Sequence, residues 1–151
     1  MEKKVRMIDN DAYFPVLIEL IEQGRSVPVL ISGSSMSPFL IHCRDTVIVS
    51  KPDRPFKKGD MVFYQRTNGR YVMHRIHHIN SKGELFLIGD AQTEIEGPIQ
   101  PQQVFGAIHK VIRKGKTLEP GNFWWWFFEK VWIRMFPLRP FISRLYAKKV
   151  R

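Results

Sequence analysis

Apolar residues recur along this chain with two different periods, and the change of period divides it. Phe14, Leu17, Ile18 and Ile21 fall at helical spacing, Asp9, Asn10 and Asp11 offer N-caps, and Gly24 is a natural stop. Residues 11–23 are therefore predicted to form one amphipathic helix, with Pro15 in its first turn, where a missing N–H is tolerated. From Val27 to about Arg113 the pattern becomes short β-branched and aromatic runs broken by turn residues: VPVLI, TVIVS, MVFYQ, YVMHRIHHI, ELFLI and VFGAIHKVI. Strands of this length and spacing predict an antiparallel sheet or barrel. Asn68–Gly69 signals a hairpin turn between MVFYQ and YVMHRI, and Lys82–Gly83 signals a second. After Gly115 the chain turns to Trp, Phe and Arg, punctuated by Pro120–Gly121, Pro137 and Pro140. The expected organisation is an N-terminal helix within residues 1–24, a mainly β domain over 25–115, and an aromatic-basic helical tail over 116–151. No internal repeat is visible.

A chain of 151 residues that is 44% hydrophobic supplies one core of ordinary domain size. The single cysteine, Cys43, excludes an internal disulfide framework and, with no C-x-x-C pair, a thiolate zinc or redox motif; it favours a reducing compartment. MEKKVRMIDNDAYF carries the positive charges of an export signal without the apolar run and small-residue cleavage site that should follow. No run approaches the roughly 18 apolar residues of a membrane span, since the aromatic stretch from Phe123 to Phe128 stops at Glu129–Lys130. The expected location is cytoplasmic.

The candidate chemistry lies in SGSSMSPFLIHC, residues 32–43. A serine hydroxyl is a weak nucleophile until a base takes its proton, so Ser34, Ser35 or Ser37 can act only with a partner from elsewhere. In YVMHRIHHI, strand alternation puts Val72, His74, Ile76 and His78 on one face and Met73, Arg75, His77 and Ile79 on the other. A histidine sharing an apolar face is a candidate base, because its ordinary pKa of about 6.5 lets it accept a proton near neutrality. His42, His77, His78 and His109 show no zinc-motif spacing, so no metal is expected, nor any cofactor. Cys43 reads as a small buried hydrophobe rather than a nucleophile beside His42.

The order SGSSMSPFL, KKGDMVFY, VMHRI, LIGDAQTEIE resembles the signal-peptidase-like serine peptidases, the superfamily that also holds the self-cleaving repressors, over roughly residues 20–113. The resemblance implies that family's antiparallel β-sheet or coiled barrel. It implies that Ser35, immediately before Met36-Ser37-Pro38, is the nucleophile, and that Asp60 has no chemical role. Leader peptidases and repressors use a lysine base, but residues 59–81 contain no lysine. His74-Arg75 stands there instead, similar to the Ser-His version in endoplasmic-reticulum and archaeal signal peptidases, and its 39-residue distance from Ser35 suits that subgroup. By the same resemblance Asp90 would orient the imidazole, Glu96 would be a second acid, and Gly33, Ser34, Met36 and Pro38 would shape the substrate and oxyanion surroundings, main-chain amides supplying the donors. The implied reaction is acyl transfer on a leader or signal-like peptide, or preprotein, bound extended beside the sheet edge near residues 27–33. A catalytically inactive binding module on the same fold, and a basic membrane- or nucleic-acid-binding protein, are the alternatives.

Charge singles out the tail. The formal net charge is +10, and residues 111–151 hold ten Lys/Arg against Glu119 and Glu129, which leaves +8 there. Mixed with four tryptophans and repeated Phe, this composition fits either a helix packed on its own domain or a segment lying in an anionic membrane surface. The expectation is peripheral attachment through residues 123–146 to the cytoplasmic membrane face; nucleic acid is the weakest of the readings.

Overall fold

Helix α1 spans Asn10–Glu22, as its apolar period requires, and buries Phe14, Leu17 and Ile21. It ends in paired reverse hydrogen bonds, Arg25 N–H to the Leu20 carbonyl (3.1 Å) and Gly24 N–H to that of Ile21 (2.9 Å). Gly24 takes the left-handed φ of 86° this cap needs. The computed structural model describes residues 10–138.

Eight strands follow: β1 Val27–Leu30, β2 Thr46–Ser50, β3 Met61–Gln65, β4 Tyr71–Ile79, β5 Leu85–Ile88, β6 Glu96–Ile99, β7 Val104–Arg113 and β8 Lys116–Leu118. All pairings are antiparallel, in the order β1-β2-β7-β3-β4-β5-β6, an open sheet with β1 and β6 at its edges. Strand β8 also pairs with β7, along the same side as β3. Both expected hairpins form: Arg66 N–H meets the Arg70 carbonyl (2.7 Å) around Asn68–Gly69, and Asn80 N–H meets that of Glu84 (3.1 Å) around Lys82–Gly83.

The sheet buries both faces. On one lie Phe14, Leu17 and Ile21 of α1 with Met36, Phe39, Val47, Val49 and Met73. On the other lie Val62, Tyr64, Ile76, Leu85, Leu87 and Ile99. Consecutive residues of β4 therefore look into different interiors. Between Ile76 and His78 the β4–β5 register shifts, so the alternation expected across the whole of YVMHRIHHI ends at that bulge.

The aromatic segment completes the first core. Helix α2, Phe123–Trp126, is capped by Asn122, whose side chain accepts the Trp124 N–H; it continues as a π turn over Phe127–Val131 and 3-10 turns over Trp132–Leu138. Its inward residues Trp125, Phe128 and Trp132 belong to the same cluster as α1, and Phe39 stacks near Phe128 with ring centroids 4.7 Å apart. Burying each such ring contributes about 1.5–3 kcal/mol. The segment read from its composition as an aromatic-basic tail thus forms part of the interior as far as Ile133, as the packed one of its two readings has it. Phe123, Trp124 and Trp126 face outward. Residues 139–146 of the expected membrane segment, and the cations from Arg139 onward, lie outside the described residues.

Candidate active site

The serine-rich stretch is a chain of turns anchored by its apolar members. Met36, Phe39 and Leu40 are buried, whereas Ser34 is exposed and Ser35 half-buried. Ser37 N–H donates to the Ser34 carbonyl (3.1 Å) and Leu40 N–H to that of Met36 (2.9 Å). Asp45, wholly buried, ties down the far end: its carboxylate accepts from the amides of Ile41 (2.8 Å) and Lys114 (3.0 Å) and from Arg44. Burial pushes the Asp45 carboxyl up, but those hydrogen bonds and the Arg44 charge outweigh it and hold the acid below its ordinary range.

Ser35 docks onto the loop after β5. Its carbonyl accepts the Ala91 N–H at 2.9 Å, and it lies so close to Gly89 that a Cβ there would collide with it. Arg75 pairs with Ile88 across β4–β5, so continuing that register sets Gly89 opposite His74. The main chain of Ser35 is in this way brought beside the residue that faces His74. Among the described residues no hydrogen bond joins the Ser35 hydroxyl to the imidazole. Among the described residues the Ser35 N–H makes no hydrogen bond either, so it can donate to an oxyanion. The Gly33 N–H is not free: it donates to His42 Nδ1 at 2.7 Å.

His74 is 3% exposed, on the β4 face shared with Val72 and Ile76. Its Nδ1 lies 3.1 Å from the hydroxyl of Tyr64, a diagonal neighbour in the β3–β4 register, where Val62 stands opposite His74 and Tyr64 opposite Val72. Burial lowers the His74 pKa from its ordinary value to about 4; the Glu96 carboxylate works against this and Arg66 works with it. The Tyr64 phenol is pushed up, by burial first and then by the Glu96 charge. Glu96 is itself held by Arg66 through contacts of 2.6, 2.9 and 3.1 Å, and this hydrogen bonding raises the guanidinium pKa.

Asp90 occupies a different place from the one expected. It lies on the other face, where both its oxygens accept from Arg75 (2.9 and 3.0 Å), and among the described residues no hydrogen bond joins it to His74. Arg75 also donates to the Gly59 carbonyl (2.9 Å) and stands 5.6 Å from the centre of the Phe39 ring; Trp132 Nε1 donates to the Asp90 carbonyl (2.7 Å). Arg75 and Asp90 thus bind β4, the Ser35 loop, residue 59 and the aromatic segment together. The physical reason is parity: Arg75 shares Asp90's face and His74 does not.

Cys43 is exposed, against the expectation of a buried hydrophobe. It sits at φ 59° with Sγ 3.1 Å from His42 Nε2. Because His42 Nδ1 accepts from Gly33, the neutral ring carries its proton on Nε2 and donates it toward the sulfur. His42 thus pins the residue two before Ser35, a role unavailable to sequence reasoning because it depends on the turn.

An open cleft of about 550 Å³ lined by Arg66, Ala91, Gln92 and residues 93–96 adjoins the Ser35-bearing loop through Ala91. A second, of about 620 Å³, lies between Lys57, Asp60 and His109 and the aromatic segment, and shares none of the candidate residues. No group of three or more His, Cys, Asp or Glu side chains that could hold a metal occurs among the described residues. Nor is any helix among them long and apolar enough to cross a membrane. No protein-family model matches the chain, and no curated protein or solved structure shows significant similarity to it.

Proposed function

We propose that this chain is a serine endopeptidase of the signal-peptidase-like type, cleaving a leader or signal-like peptide with Ser35 as nucleophile and His74 as base. The observation that carries this is the convergence of three separate segments: the Ser35 carbonyl on the Ala91 amide, Gly89 stripped of a side chain where Ser35 passes, and His74 one residue before Arg75, whose register partner Ile88 precedes Gly89. The reaction follows from the groups. Ser35 Oγ attacks the peptide carbonyl while His74 Nε2 takes its proton; the imidazolium returns that proton to the leaving amine, and water then releases the acyl group. The Ser35 N–H is the oxyanion donor. The peptide lies extended beside the edge strand β1. The missing Ser35–His74 hydrogen bond favours the second reading, a binding module without catalysis, although such bonds often close only around substrate.

Attachment to an anionic membrane surface through residues 123–146 belongs to the same reading. Supporting it, Phe123, Trp124 and Trp126 are exposed while their neighbours face the core, as an interfacial helix requires. Replacing these three by serine should abolish sedimentation with anionic vesicles and leave folding intact; unchanged sedimentation overturns the attachment.

The test of the activity is incubation of the protein with peptides encoded near its own gene, read by mass spectrometry. Wild type should cut after small residues, and Ser35→Ala and His74→Ala should each lose about 10²-fold or more. Equal cleavage by Ser35→Ala and wild type refutes the peptidase; binding without cleavage by either establishes the module.

A further inference from the structure

In a serine triad the second imidazole nitrogen is normally taken by a carboxylate, which fixes the tautomer and steadies the cation that forms during reaction. Asp90 is committed to Arg75, and that nitrogen of His74 faces a phenol instead. We infer that Tyr64 is the positioning residue of this site: its oxygen accepts the Nδ1 proton of neutral His74 at 3.1 Å and so leaves Nε2 unprotonated, the form a base acting on Ser35 requires. The inference rests on the reading of His74 as the base.

Three features make the phenol suited to this. It is wholly buried, so no water competes for the imidazole. It comes from β3 and the histidine from β4, joined by five consecutive register pairs, so their relation is set by the sheet and not by a loop. It also stands in the field of the Arg66–Glu96 pair, with Glu96 entering from β6 and Arg66 from the turn after β3. These two and Tyr64 are the charged or titratable groups acting on His74. The Glu96 charge favours a protonated His74 and disfavours an ionised Tyr64, so Tyr64 keeps its hydrogen while the imidazole gains one. Glu96 therefore takes the acid's electrostatic part without touching the ring, and Tyr64 takes its geometric part.

The experiment uses the full chain labelled with ¹⁵N-histidine. In wild type at pH 7 the His74 ring should show a protonated Nδ1 and a bare Nε2; a proton on Nε2 overturns the inference, whatever the peptidase assay gives. Tyr64→Phe removes only the oxygen and should shift the ring toward a mixture of tautomers, lower kcat about tenfold with KM little changed, and leave the Ser35→Ala control inactive. That loss is a fraction of the roughly 10²–10⁴-fold a general base supplies. A Tyr64→Phe protein with the wild-type tautomer and rate overturns the assignment. Should that variant fail to fold, the wild-type spectrum and Glu96→Gln, which should lower the His74 pKa further, decide it; an unmoved pKa in Glu96→Gln contradicts the electrostatic part given to Glu96. Activity persisting in Ser35→Ala would instead refute the peptidase while the tautomer measurement still judged Tyr64.

Discussion

His74 and Arg75 are neighbours on one strand, buried alike at 3% and 1% exposure, and the protein treats them in opposite ways. Arg75 finds a carboxylate of matching geometry, a carbonyl and an aromatic face, so its guanidinium is satisfied at every side. His74 receives one phenol and a carboxylate acting from a distance, and burial holds it neutral. A fully matched buried pair locks elements together; a buried imidazole with a single hydrogen bond is kept neutral, with a lone pair on its other nitrogen. The Arg75 face is accordingly the scaffold, closed by Trp125, Phe128 and Trp132, and the His74 face holds the proposed base.

The comparison breaks most visibly if the scaffold face is opened. Deleting residues 120–151 removes three buried rings, each contributing about 1.5–3 kcal/mol, a sum comparable to the 5–15 kcal/mol that holds a whole domain, so the truncated chain should give no cooperative unfolding transition. A truncated protein that melts near the wild-type temperature would return the segment to the status of an appendage.

A single change on the same face is gentler. Asp90→Ala leaves the Arg75 guanidinium buried and unpaired, and should lower stability by about 3–5 kcal/mol in urea unfolding. Its folded fraction should keep the wild-type pH dependence of cleavage, because Asp90 does not touch His74. A changed profile at unchanged stability would make Asp90 the catalytic acid after all.

On the other face the expected effect is smaller and depends on pH. Unfolded, His74 titrates near 6.5; folded, at about 4. Between these values the unfolded chain binds the extra proton, so the stability is whole above pH 6.5 and about 3 kcal/mol of it is lost as pH falls to 4. Chemical denaturation at pH 7 and 4 should show that loss in wild type and a reduced one in His74→Gln. Equal losses in the two proteins would place the acid sensitivity elsewhere.

Much of the architecture was legible because it is local. The helical period of Phe14, Leu17 and Ile21, the β-branched runs and the two glycine turns each act within a few residues, and the six runs all became strands. Two strands escaped notice: β6 reads EGPI, where Gly97 and Pro98 signal a turn, and β8 has only three residues. Strand parity correctly set His74 beside Val72 and Ile76. The partners of His74 and Asp90 were not legible, since Tyr64 meets His74 only through the β3–β4 register and Glu96 meets Arg66 across 30 residues. The motif order suggested Asp90 for the imidazole, but the face on which Asp90 lands depends on the turn after β5. The aromatic segment divides into buried and exposed rings by a helical phase that its near-uniform composition conceals.

The claim that buried, neutral His74 is the working base is tested most directly by following two quantities against pH in the wild-type protein: the ring's NMR titration and kcat/KM for a cleaved peptide. Both should share one midpoint at about 4, with kcat/KM falling by a single proton as pH drops through it. An activity limb that does not coincide with the His74 titration, or one that survives unchanged in His74→Ala, would contradict the account.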